Sequence, residues 1–147
     1  IAWMLRYIPI FGTFGFRKYP IQPVHVRDVA RISIDLGAGE ENITRDATGP
    51  ETYPYRDFVR LIARSMGVRR LIVPMPPLLA WMAGQVMGIF MRDMVVTRAE
   101  IKGLMRGLVA SDEEPLGTIR FSEWIERRGP EVGRHYHNDL KERIYRN

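Results

Sequence analysis

The chain has 147 residues, 22 basic and 17 acidic side chains, a formal net charge of +5 and 46% hydrophobic residues. That length builds one domain with a modest core, and that apolar share excludes wholesale disorder. Cysteine is missing, which excludes disulfides, thiolate nucleophiles and cysteine-ligated zinc and leads to the expectation of a cytoplasmic protein.

The first 20 residues read as the end of a helix followed by a loop rich in Gly and Phe, Phe11-Gly12-Thr13-Phe14-Gly15-Phe16. The opening Ile-Ala-Trp-Met, without a start methionine, reads as part of a longer chain. Ile1–Phe14 lacks the basic start and small-residue cleavage site of a signal peptide. Pro23–Val26 is expected as a short strand, with Asp28 capping a helix Val29–Leu36 that stops at Gly37. A second strand is expected at Asn42–Ala47. After the Gly49-Pro50 turn, Phe58, Leu61, Ile62 and Met66 keep helical spacing over Tyr55–Met66. Arg70–Val73 reads as another short strand.

Leu71–Met91 carries no charge, yet Pro74, Pro76 and Pro77 leave only Leu78–Met91 as continuous helix. At ~1.5 Å per residue that is about 21 Å, short of the ~30 Å hydrocarbon core, so a buried or pocket-lining helix is the better reading than a membrane span. Thr97-Arg98-Ala99-Glu100 is a capping box opening a helix with Ile101, Leu104, Met105 and Leu108 on one face. Ser111–Glu114 is an acidic loop. Phe121, Trp124 and Ile125 mark a further helix, and Gly133 precedes a last amphipathic one with Tyr136, Leu140 and Ile144. The expected class is α/β to α+β, with few short, mostly parallel strands and an all-helical final third.

Little of this carries chemistry. His135 and His137, at i and i+2 on an expected helix, point apart and make no metal clamp. Arg56, Arg60 and Arg64 form a stripe that reads as a solvated helix face, and Asp112–Glu114 as a solvated loop. Residues 1–73 carry 11 positive and 7 negative charges and residues 74–147 carry 11 and 10, without a basic run. Nucleic acid is therefore not an expected partner. The sequence has neither a Gly-rich phosphate loop between a strand and a helix nor a Tyr-x-x-x-Lys pair.

Three segments together resemble one family. Gln22-Pro23-Val24-His25-Val26-Arg27-Asp28-Val29-Ala30 resembles the strand-to-helix segment in the second half of extended and atypical short-chain dehydrogenases/reductases, the NAD-dependent epimerase/dehydratase superfamily. Gly49-Pro50-Glu51-Thr52, with the helix ending Ile62-Ala63-Arg64-Ser65-Met66-Gly67, is similar to its Gly-Pro-Glu turn and following helix. Leu116-Gly117 and Phe121–Ile125 resemble its C-terminal end. The resemblance implies that residues 1–147 are a single C-terminal, substrate-side domain whose Rossmann half lies upstream. That half would be its partner, supplying the NAD or NADP site and the catalytic tyrosine and lysine. This part alone would then hold no cofactor, metal or catalytic residue.

Departures from the family refine the expectation. Sugar-nucleotide epimerases usually have an arginine where this chain has Ile21, and an Arg-x-Gly-Asp stretch that is missing here. Both departures argue against a UDP-sugar and point to the atypical branch, which includes relatives of an accessory subunit of respiratory complex I. The family's usual Thr/Ser cap after Gly-Pro-Glu is Pro54 here, placing proline at the start of that helix. The expected contacts to a small-molecule substrate are Gln22, His25 and Arg27, with Trp81 as an apolar wall. The alternative is a non-enzymatic interaction or membrane-docking scaffold. Leu78–Met91 is also expected to favour self-association once separated from its partner half.

Overall fold

The computed structural model describes residues 1–16, 18–40, 42–93 and 95–138. Its elements in chain order are α1 (Ala2–Tyr7), β1 (Ile10–Phe14), β2 (Pro20–Ile21), α2 (Val26–Gly37), β3 (Tyr53–Pro54), α3 (Tyr55–Ser65), β4 (Leu71–Met75), α4 (Pro77–Met91), α5 (Arg98–Met105) and α6 (Phe121–Arg128). The class is mixed, and every regular element described after Met75 is a helix, as expected. The strands form one parallel pair, β1 with β4 in register Ile10↔Leu71 to Phe14↔Met75, and one antiparallel pair, β2 with β3.

The fold is organised around α3. Phe58, Val59, Ile62, Ala63 and Met66 are buried along one face and pack with Leu5, Phe11, Tyr55 and Ile125. Each such large apolar side chain taken out of water contributes ~1.5–3 kcal/mol. Arg56, Arg60 and Arg64 occupy the solvated face, as their spacing predicts. The helix ends where Gly67 adopts φ +70°, with its amide donating to the Arg64 carbonyl and the Val68 amide to that of Ala63. This is the left-handed ending that glycine permits without a Cβ clash.

Arginines tie α1 to later parts of the chain. The Arg70 guanidinium donates to the carbonyls of Leu5 and Arg6 at 2.7 Å each, satisfying the C-terminus of α1. Arg6 in turn donates to the Val132 carbonyl at 2.8 Å.

Several sequence expectations are corrected. The expected loop Phe11–Phe14 is strand β1, and Gly12 is there for packing: a Cβ would overlap the Met75 side chain of the paired strand. Pro23–Val26 is not a strand; residues 22–25 are irregular and Val26 already begins α2. The cap of α2 is His25, whose Nδ1 accepts from the Arg27 amide at 3.1 Å, and not Asp28. Asn42–Ala47 has no regular structure and is tied by side chains instead, Arg45 to Glu113 and Ser111 to Asp46. Residues 131–138, including His135 and His137, are turn and irregular chain rather than a helix. Leu140 and Ile144, assigned to the last helix, lie outside the described residues.

Candidate functional site

A cleft of about 290 Å³ opens between Pro23–Val26 on one wall and Ile119, Phe121 and Trp124 on the other. Two buried carboxylates build it. Asp28, in the first turn of α2 and 3% exposed, accepts from the Ile119 amide at 2.8 Å, the Thr118 amide at 2.9 Å and the Thr118 hydroxyl at 3.1 Å. Burial pushes its pKa up, but those three donors and Arg31 outweigh burial and hold the carboxyl below its ordinary value. The Ile119 wall is thus bolted to α2.

Glu51 does the same for α6, which has no side-chain cap of its own. It accepts from the Ser122 amide at 2.9 Å, the Ser122 hydroxyl at 2.7 Å, the Tyr53 hydroxyl at 2.7 Å and Arg120 at 3.1 Å. A carboxylate at a helix N-terminus satisfies orphan amides and complements the helix dipole. Burial again opposes ionisation, yet these donors bring Glu51 down to about 2. Burial, with the neighbouring Glu51 charge and hydrogen bond, pushes Tyr53 up to about 12.

Glycines let the backbones meet. A Cβ on Gly49 would collide with the Pro23 carbonyl, and one on Gly117 would lie 2.7 Å from the Thr48 carbonyl oxygen. The Gly117 amide donates to that same carbonyl at 2.8 Å. Phe121 then stacks into the core, its ring centroid 4.8 Å from Phe58 and 6.0 Å from Trp124.

Of the four expected substrate contacts, the cleft receives one. His25 lines it, its ring edge-on to Trp124 with centroids 6.2 Å apart. With Nδ1 accepting at the cap, Nε2 carries the hydrogen and is the ring's remaining donor. Gln22 is buried and held at both ends of its amide, donating to the Gly49 carbonyl at 2.9 Å and accepting from the Ser111 amide at 3.1 Å. Arg27 is exposed and absent from the cleft wall. Trp81 lies on α4 under the Arg98 guanidinium, 4.0 Å from the ring centroid, and is also absent from the wall. Phe121 and Trp124, read from the sequence only as helix markers, are the aromatic wall; their i, i+3 spacing was the available signal.

The walls offer apolar and aromatic surface and one imidazole, which suits binding of an apolar group oriented by a single hydrogen bond. No group of three or more metal-ligating side chains occurs among the described residues. Two of the turns by which strands enter helices are built on proline: β3 enters α3 at Pro54, and β4 enters α4 through Pro76 and Pro77. No family model matches the chain, and no curated protein matches it either. No described helix is long and apolar enough to cross a membrane.

Proposed function

We propose that the chain is the substrate-side part of an NAD(P)-dependent reductase or epimerase of the short-chain type. In this reading its His25–Trp124 cleft receives the apolar portion of a small molecule, while the nucleotide site and the acid–base residues lie elsewhere in the protein. One observation carries the reading. The three segments that resemble that superfamily, far apart in sequence, are tied to one another, and the first and third face each other across the cleft: Asp28 binds residues 118 and 119, Glu51 binds Ser122, and Gly117 binds Thr48.

In such a protein the nicotinamide supplies the hydride chemistry. The residues of this chain exclude water from the substrate's apolar part and offer the Nε2 hydrogen of His25 to orient it. Ligand-observed magnetic resonance with a library of small aromatic and aliphatic carbonyl compounds tests this. Hits are expected to be lost in Trp124→Ala and weakened in His25→Asn, which keeps an effective helix cap. Calorimetric titration with NADH and NADPH is expected to give no heat. Micromolar nucleotide binding by this chain, or hits indifferent to both substitutions, refutes the proposal.

A further inference from the structure

Helix α4 is inverted relative to an ordinary surface helix. Its buried residues are the small ones, Ala80 and Gly84. A Cβ on Gly84 would collide with the Val96 side chain, and one on Gly88 would lie 2.6 Å from the Asp93 carbonyl oxygen, so the small face is pressed against the segment after the helix. The large residues point outward. Leu78, Leu79, Met82, Val86, Ile89 and Phe90 are each at least half exposed, Ile89 by 78% and Phe90 by 84%. At about 3.6 residues per turn these six fall within an arc of roughly 120°. A contiguous apolar stripe of this kind, unlike scattered exposed leucines, marks an interaction surface.

The charges around the stripe identify what covers it. α4 itself carries none. Arg92 closes its C-terminus in the left-handed conformation, and Arg98 sits over Trp81 at the edge of the stripe. Lys102 shares the Arg98 face of α5 one turn on. None of these three cations is ion-paired among the described residues. The nearby acids are engaged: Asp93 is buried and accepts from the Tyr136 hydroxyl, and Glu100 accepts the Thr97 amide in its capping box. A second copy seated on α4 would add three more unpaired cations to the same seam, and like charges across an interface are strongly disfavoured. The matching surface is apolar inside and anionic outside.

We propose that α4 and its basic rim dock on an anionic lipid bilayer. Leu78, Met82, Val86, Ile89 and Phe90 enter the acyl boundary, while Arg92, Arg98 and Lys102 meet headgroup phosphates. Trp81, apolar and stacked under a guanidinium, takes the interfacial level that tryptophan favours. The helix, at ~1.5 Å per residue about 22 Å long, lies in the plane of the surface. The proposal does not depend on what the His25–Trp124 cleft binds.

The test is co-sedimentation of the full chain with vesicles of phosphatidylcholine alone and of phosphatidylcholine mixed with phosphatidylglycerol, at low and high salt. Binding is expected on the mixed vesicles, and about tenfold or more weaker on neutral vesicles or in high salt. The double variant I89D/F90D is expected to abolish it. R98E/K102E is expected to reduce it at least tenfold on mixed vesicles only. All four positions are exposed, so melting curves should match the parent's. Equal binding to both vesicle types, failure to bind either, or indifference to both variants overturns the proposal. A dimer dispersed by I89D/F90D without vesicle binding assigns the face to a second copy and overturns it equally.

Discussion

Replacing Glu51 by glutamine removes one negative charge and leaves the shape of the side chain intact. In the folded protein the carboxyl lies near about 2, against 4.5 for its ordinary value. At ~1.36 kcal/mol per unit, that depression corresponds to about 3 kcal/mol of stability at neutral pH. The residue is only 13% exposed, so solvent screening removes little of this. Because the folded-state value is depressed, the contribution is complete above the unfolded value and is lost as pH falls towards the folded one. Urea denaturation of the parent and Glu51→Gln, followed by tryptophan fluorescence, should differ by about 3 kcal/mol at pH 7 and by roughly 1–1.5 kcal/mol at pH 3. Asp28 titrates in both proteins and cancels from the comparison. A difference that stays constant between pH 7 and pH 3, or no difference at pH 7, refutes the assignment of Glu51 as the ionised cap of α6.

Five further substitutions separate the other contributions. Asp28→Ala leaves two part-buried amides without their acceptor and should cost about 2 kcal/mol, whereas Asp28→Asn keeps one acceptor for them and should cost distinctly less, both read from urea midpoints. Gly49→Ala drives a methyl into the Pro23 carbonyl and should lower the melting temperature more than Thr97→Ala, which loses one helix cap worth ~1 kcal/mol. Thr48→Val removes a buried hydroxyl that has no hydrogen-bond partner and should leave the melting temperature unchanged or raise it.

What was legible in the sequence was local. α3 and α4 follow from apolar spacing and proline placement, and the Thr97–Glu100 capping box is present as read, both of its hydrogen bonds formed. β1 was hidden because its Gly12 looks like a loop residue until Met75 is laid across it from 63 positions away. Asp28 reads as the cap of α2 from local chemistry, but its acceptors are drawn off by Thr118 and Ile119, and His25, three residues earlier, takes the cap. The cleft escaped for the same reason: its walls come from residues about 95 positions apart, joined by carboxylates whose partners no local pattern reveals. Of the expected contacts, His25 lies on one of those walls, while Gln22 is buried with both ends of its amide hydrogen-bonded.

The contact of Arg6 with Val132 spans 126 positions, and it sets a timetable. On the ribosome the first helix exists long before the carbonyls that receive its arginine. At ~5–20 residues per second the delay is roughly 6–25 s. The parallel pairing of β1 with β4 must also wait, for some 60 residues of intervening chain, and parallel pairing at long range is slow. Throughout that interval Leu5 and Phe11, which end in the core, have only part of it to pack against. The apolar stretch around Leu5 and Phe11 therefore stays incompletely covered by this part of the chain until the residues that complete its packing have been made.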